Sequence, residues 1–171
     1  MSTQILHTDR LTLRPFCMED ADAMFRNWTQ DADVARFCRW HPHADIAETR
    51  AFLQTCIGKE FAWAITVNGS DEVIGSVDVV DIPSADTCEI GYLLAKKYWS
   101  RGLMSEAVKA VINHLFACGF RTVTAVHHVE NPASGRVMEK CGMRYQHNGM
   151  TPPKFDSNEL CEIRCYAITK E

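Results

Sequence analysis

The chain has 171 residues, 46% of them hydrophobic and 23% charged, with a formal net charge of −4 at pH 7. That length suits a single domain spanning residues 1–171, able to bury roughly two thirds of its unfolded surface without a disulfide framework or structural metal. The balance is that of a globular protein, and a net negative charge lacks the electropositive field that draws nucleic acid.

Residues 1–14 include His7, Asp9 and Arg10 and lack the uninterrupted apolar run of a signal peptide. No later stretch reaches the roughly 18 apolar residues of a membrane span. The expectation is a cytoplasmic protein with no membrane and no nucleic-acid partner. Eight cysteines are scattered at positions 17, 38, 56, 88, 118, 141, 161 and 165, which fits reduced, mostly buried thiols.

Residues 5–13 alternate apolar and polar side chains as a half-buried strand does, and Arg14-Pro15 closes it. Residues 20–28 carry Ala21, Met24, Phe25 and Trp28 at helical spacing. A second helix begins at Asp45, with Asp45 and Glu48 as N-cap and N3 residues. Ile46, Leu53, Cys56 and Ile57 form its apolar stripe and Gly58 its stop. Residues 61–67 and 73–80 are rich in β-branched side chains around the turn Asn68-Gly69-Ser70-Asp71, which predicts a hairpin. Residues 87–94 read as a third strand. The period then changes: Met104, Ala107, Val108, Val111 and Leu115 mark an amphipathic helix ending near Gly119. Residues 122–129 return to strand, 132–140 form a short helix, and 160–168 a last strand. The order is α+β, with a strand-helix-strand unit at its centre.

Two segments of that unit carry chemistry. Residues 97–106 join a strand to a helix, where unpaired N–H groups and the helix dipole suit an anion such as a pyrophosphate. Gly102 lets a phosphate approach the backbone, and Ser100 and Arg101 can add donors. A strand-to-helix turn that binds nothing has the same features. In residues 130–143, Asn131 is a natural N-cap, Pro132 an N1 residue and Gly142 a helix stop, as at the ends of any helix. The combination is the informative part, because the N-termini of both helices can face one end of the sheet and a long ligand can lie between them.

Gly91-Tyr92-Leu93-Leu94, the run from Tyr98 to Ala107, Asn131-Pro132-Ala133-Ser134 and Glu139-Lys140-Cys141-Gly142-Met143 together resemble the GCN5-related N-acetyltransferase (GNAT) superfamily. The opening Thr8 to Pro15 and the closing Tyr166-Ala167 resemble its subgroup of ribosomal-protein N-terminal acetyltransferases. The resemblance implies a mixed, mostly antiparallel sheet of about seven strands with helices on both faces. Acetyl-CoA, as co-substrate, would lie in a cleft between two splayed parallel strands. It also implies an amine acceptor, either a small molecule or a protein N-terminus, and allows a homodimer. On that pattern Tyr92, Leu93 and Leu94 offer backbone groups to the pantetheine arm, and Arg101, Gly102, Leu103, Met104 and Ser105 receive the pyrophosphate. Asn131 would bond the arm and Ser134 would lie near the cofactor sulfur.

The chain departs from the family pattern in two places. Trp99 and Met104 occupy the first and last places of the R/Q-x-x-G-x-G/A turn, which weakens the match little if backbone amides do the binding. Where many members carry a tyrosine beside the thiol, Val137-Met138 stands, leaving Ser134 as the proton donor. Glu89 resembles the position where some members place a catalytic carboxylate, with Asp156 and Glu159 as further candidates. The alternative is a solvated or paired strand residue at 89, and the alternative function is a noncatalytic acyl-CoA sensor. No metal is expected, since His41-Pro42-His43 and His127-His128 lack the spacing of zinc ligands. Cys141 reads as a buried, inert thiol. The segments near residues 29–45 and 146–159 read as acceptor loops. Trp28, Phe37, Trp40 and Trp63 could line an acceptor pocket, but aromatic residues in such elements are usually core, and none is assigned to the pocket.

Overall fold

The computed structural model describes residues 3–170. The predicted first strand is divided into β1 (Leu6–His7) and β2 (Leu11–Arg14). The break has a chemical cause: the Thr8 hydroxyl and the Arg10 backbone N–H both donate to the Glu106 carboxylate, at 2.6 and 2.9 Å. The predicted helix at 20–28 is a composite of a 3-10 turn (Met18–Asp20), α1 (Ala21–Met24) and a π turn (Phe25–Thr29). It buries Met24 and Trp28. An unanticipated short helix, α2 (Ala32–Ala35), follows under an Asp31 cap. Helix α3 (Ile46–Cys56) starts at Asp45, whose side chain accepts from the Glu48 N–H at 3.0 Å as the sequence predicts.

Strands β3 (Ala62–Val67), β4 (Val73–Ser84) and β5 (Thr87–Leu94) form a meander. Then come α4 (Leu103–Ala117), β6 (Thr122–His128), α5 (Pro132–Lys140), β7 (Arg144–Thr151) and β8 (Cys161–Thr169). The sheet has eight strands in the order β1-β2-β3-β4-β5-β6-β8-β7. Every neighbouring pair is antiparallel except β5 and β6. The added strand is β7, which occupies part of the segment expected to be an acceptor loop. It is an edge strand whose residues 144–148 are all exposed, so it lacks the one-sided alternation that marks a strand in sequence.

Each face of the sheet carries its own apolar cluster. Helix α4 packs Ala107, Val108, Val111 and Leu115 onto one face, where Met138 of α5 joins them. On the other, Met24, Trp28 and Leu53 from the first helices meet Ala62, Ala64 and Val73. Trp28 and Trp63 are 1% and 0% exposed, so they are core rather than pocket lining, whereas Phe37 and Trp40 are half-buried. Among the described residues, no helix is long and apolar enough to cross a membrane.

Candidate functional site

The parallel pair β5–β6 is joined over only three positions, Thr87↔Thr122, Cys88↔Val123 and Glu89↔Thr124. Beyond Glu89 the two strands part. Residues 90–94 of β5 remain paired to β4 on one side, at Val79↔Ile90 through Gly75↔Leu94, and have no β6 partner on the other. An open backbone edge of this kind is what an extended ligand pairs with as an added strand. Tyr92, Leu93 and Leu94 lie on it. Helix α4 follows β5 after a short 3-10 turn (Lys96–Tyr98), and α5 follows β6 after three residues, so their N-termini stand at the end of the sheet where the gap opens.

The turn into α4 is shaped by two left-handed residues, Ser100 (φ 61°) and Gly102 (φ 74°). A serine in that region is uncommon and stores strain on the order of 1 kcal/mol. The Trp99 indole N–H anchors the turn by donating to the Leu94 carbonyl at 2.7 Å. Gly102 is the N-cap and no side chain caps the helix, so the N–H groups of Leu103, Met104 and Ser105 are left for solvent or a ligand. The side chains of Leu103 and Met104 are buried in the core, so those two residues offer backbone alone. The Arg101 guanidinium is 5.5 Å from the centroid of the Tyr98 ring. From the opposite side Arg10 pairs with Glu106 at 2.7 Å and donates to the Arg101 carbonyl at 3.0 Å, strapping the turn to the β1–β2 connection.

At the start of α5, Asn131 is the N-cap: its Oδ1 accepts from the Ser134 N–H at 3.4 Å. Among the described residues its Nδ2 donates to none. Ser134 is half-buried and faces β5, where the Tyr92 hydroxyl lies 2.9 Å from both its Oγ and its carbonyl oxygen. In α5, Met138 is fully buried and Val137 packs on the core. The Cys141 thiol is buried, pushed up to about 11 by burial, and donates to the Ser105 carbonyl at 3.4 Å, tying α5 to the first turn of α4.

Glu89 sits at the apex of the gap. Burial first, then the nearby Asp81 charge, raises its pKa above the usual carboxylate range, while Arg39 opposes both. Burial, and after it the Glu89 charge, raises the Cys165 thiol pKa above its ordinary value. Asp78 on β4 pairs with Gly91, two residues from Glu89, so both carboxylates lie on one face of the sheet. Burial raises Asp78 too, with Lys59 opposing. That face is bordered by the α2–α3 connection. There Lys154 holds the chain by donating to the carbonyls of Ala35, Cys38 and Trp40 at 2.6 to 3.0 Å, and Phe37 meets His128 at 5.5 Å. The two alternative carboxylates are placed differently. Asp156 is exposed, bonded to His41 at 3.0 Å, and held below the usual range by that bond, the opposite of a base tuned upward. Glu159 is exposed.

The structure therefore brings Glu89, Tyr92, Leu93, Leu94, the 101–105 turn, Asn131 and Ser134 to one end of the sheet. Sequence reasoning missed the Tyr92 phenol, which it treated as backbone only, and Asp78. The signal for Asp78 was an acidic residue inside the β-branched run of β4.

The family profile described as Acetyltransferase (GNAT) domain matches residues 10–144. An uncharacterized N-acetyltransferase, p20, of Bacillus licheniformis is 30% identical over 155 residues, covering 86% of this chain and 85% of that protein. The crystal structure of a GNAT-family acetyltransferase from Bacillus anthracis superposes with a TM-score of 0.86 at 28% identity, covering 97% of this chain and 98% of that one. RimL, the ribosomal L7/L12 alpha-N-protein acetyltransferase in complex with coenzyme A, shares the fold at 21% identity. Its TM-score is 0.81, over 97% of this chain and 98% of that one.

Proposed function

The chain belongs to the GNAT acetyltransferase family, and from that premise we propose that it moves the acetyl group of acetyl-CoA directly onto a primary amine, of a small molecule or a protein N-terminus. The observation that carries this reading is the opening of β5 from β6 immediately beyond Glu89, with the uncapped α4 and the Asn131–Ser134 turn at the same end. In that arrangement the pantetheine arm pairs with residues 92–94 and the Asn131 amide, and the pyrophosphate meets the N–H groups of residues 102–105. The amine arrives from the Glu89 face. Glu89 takes its proton as the N–C bond forms, the C–S bond breaks, and the electron pair left on sulfur is met by the Ser134 hydroxyl. The Ser134 hydroxyl donates a hydrogen bond to the thiolate and keeps its own proton; the proton held by Glu89 passes to solvent, and the departed thiolate takes one from solvent, so the two balance. A thiolate is a fair leaving group, so a weak donor suffices.

The test is thiol release from acetyl-CoA across protein N-terminal peptides, polyamines, amino acids and aminoglycosides. Amine-dependent release supports the reading. Saturable acetyl-CoA binding without release from any amine would instead support a noncatalytic sensor.

Two variants probe the cofactor side. Gly102→Ala places a side chain in the left-handed region, its Cβ 3.6 Å from the Arg10 guanidinium that straps the turn. It is expected to lower stability by about 1 kcal/mol and to weaken acetyl-CoA binding by more than that strain alone explains. Calorimetric affinity equal to wild type removes the phosphate assignment. Asn131→Asp is expected to keep its melting temperature, because aspartate caps as well as asparagine, yet to bind acetyl-CoA less tightly because it has no amide to donate. Unchanged affinity in a stable variant reduces Asn131 to a cap.

A further inference from the structure

We propose that Tyr92 is the positioning residue for Ser134, holding its hydroxyl as the donor that meets the leaving sulfur. The inference rests on the role given to Ser134 above. In α5, Val137 and Met138 are both turned to the core, and that helix supplies no phenol. The phenol in this molecule arrives across the gap from β5, 42 residues away in sequence, with its oxygen 2.9 Å from the Ser134 Oγ and 2.9 Å from the Ser134 carbonyl. Its ring packs against the cluster under α4 and α5, so the oxygen is held by the core rather than by a loop.

A serine hydroxyl turns freely among its rotamers, and near a helix end it competes for backbone carbonyls. The Tyr92 oxygen removes that freedom by offering Ser134 one fixed partner. The phenol has a single proton and two acceptor positions. With that proton on the Ser134 carbonyl, the phenol oxygen accepts from the serine hydroxyl. With the proton turned to Oγ, the serine hydrogen is released toward the gap. Both arrangements keep the phenol bonded, and only hydroxyl hydrogens move between them. As the C–S bond breaks, the second arrangement aims the serine hydrogen at the developing charge while Tyr92 polarises the same oxygen. Burial holds the phenol well above its ordinary pKa, so Tyr92 keeps its own proton throughout.

The test needs no acceptor. The thiol of coenzyme A ionises and the thioester of acetyl-CoA does not. The ratio of their affinities between pH 6.5 and 9.5 therefore isolates interactions with the thiolate, and acetyl-CoA cancels effects on the fold. A donor to the charged form lowers the bound thiol pKa. For the wild type the ratio is expected to rise about tenfold in favour of coenzyme A, one unit of pKa. Ser134→Ala is expected to flatten the rise, Tyr92→Phe to flatten it comparably, and the double variant to go no further, since the two groups act as one. A Tyr92→Phe protein that keeps the wild-type rise while Ser134→Ala loses it overturns the role of Tyr92 and leaves Ser134 standing. Additive losses in the double variant give Tyr92 a contact of its own and also overturn the positioning role. A flat ratio in the wild type, or an unchanged rise in Ser134→Ala, overturns both.

Discussion

Gly75→Ala is expected to lower stability by about 3 kcal/mol, with a fall in melting temperature of roughly 10 °C, and to weaken acetyl-CoA binding about tenfold or more. A Cβ at position 75 would run into the Leu93 carbonyl oxygen and lie 3.1 Å from the Leu94 Cα, both backbone atoms of the neighbouring strand. Backbone cannot turn aside as a flexible side chain does, so β5 must shift away from β4 or β4 must buckle. Gly75 pairs with Leu94, and the strand it would push is the one whose other edge faces the gap. Stability and cofactor affinity should therefore fall together. Gly69→Ala is the control: its φ is +83° but nothing lies within 4 Å of the added Cβ. That variant should lose on the order of 1 kcal/mol from its left-handed backbone and bind acetyl-CoA normally. Thermal melts and calorimetry on both proteins make the comparison. A Gly75→Ala protein with wild-type melting and affinity would falsify the close strand approach on which the cleft geometry depends.

What could be read from the sequence was whatever is local. Asp45 with Glu48, Asn68-Gly69, Gly102 and Asn131-Pro132 each declare a helix start or a turn within four residues, and the structure puts those starts and turns where they declare them. The strap on the turn into α4 was invisible, because Arg10 reaches Glu106 and the Arg101 carbonyl across 96 and 91 residues, as was the Thr8–Glu106 bond that breaks the first strand. Strand β7 was invisible for another reason: its exposed polar residues are set by pairing to β8, not by burial. For Tyr92 the strand was legible but the side chain's destination was not, since a period-2 pattern gives its face and cannot say which helix residue waits there. Asp78 shows the same limit, as only its register with Gly91 puts it beside Glu89.

Glu89→Gln is expected to cut kcat/KM about a hundredfold at pH 7, the low end for loss of a general base, with partial recovery toward pH 9. At neutral pH a lysine-like or polyamine nitrogen is almost wholly protonated, so without a base few attacks begin. At alkaline pH solvent does more of that work. For an α-amine, whose ordinary pKa is about 7.7 to 8.0, recovery should be faint because the nitrogen is already substantially neutral. The shape of the recovery therefore reports the acceptor class. The raised pKa of Glu89 gives a second, independent reading of the same variant. A carboxyl whose folded pKa lies above its unfolded value binds its proton more tightly when folded. Its charged form therefore penalises the fold, an effect absent below the unfolded pKa and complete only above the folded one. Glutamine removes the penalty. Glu89→Gln should thus melt higher than wild type at pH 8 and close to it at pH 4, while being the slower enzyme at pH 7. Higher stability with lower activity is the signature of a group held in an unfavourable setting for chemistry. A structural strand carboxylate has no reason to produce the activity loss. Wild-type rates for Glu89→Gln across pH 6 to 9 with the true acceptor would remove Glu89 as the base. Asp78, on the same face and likewise raised by burial, would then be the next residue to replace.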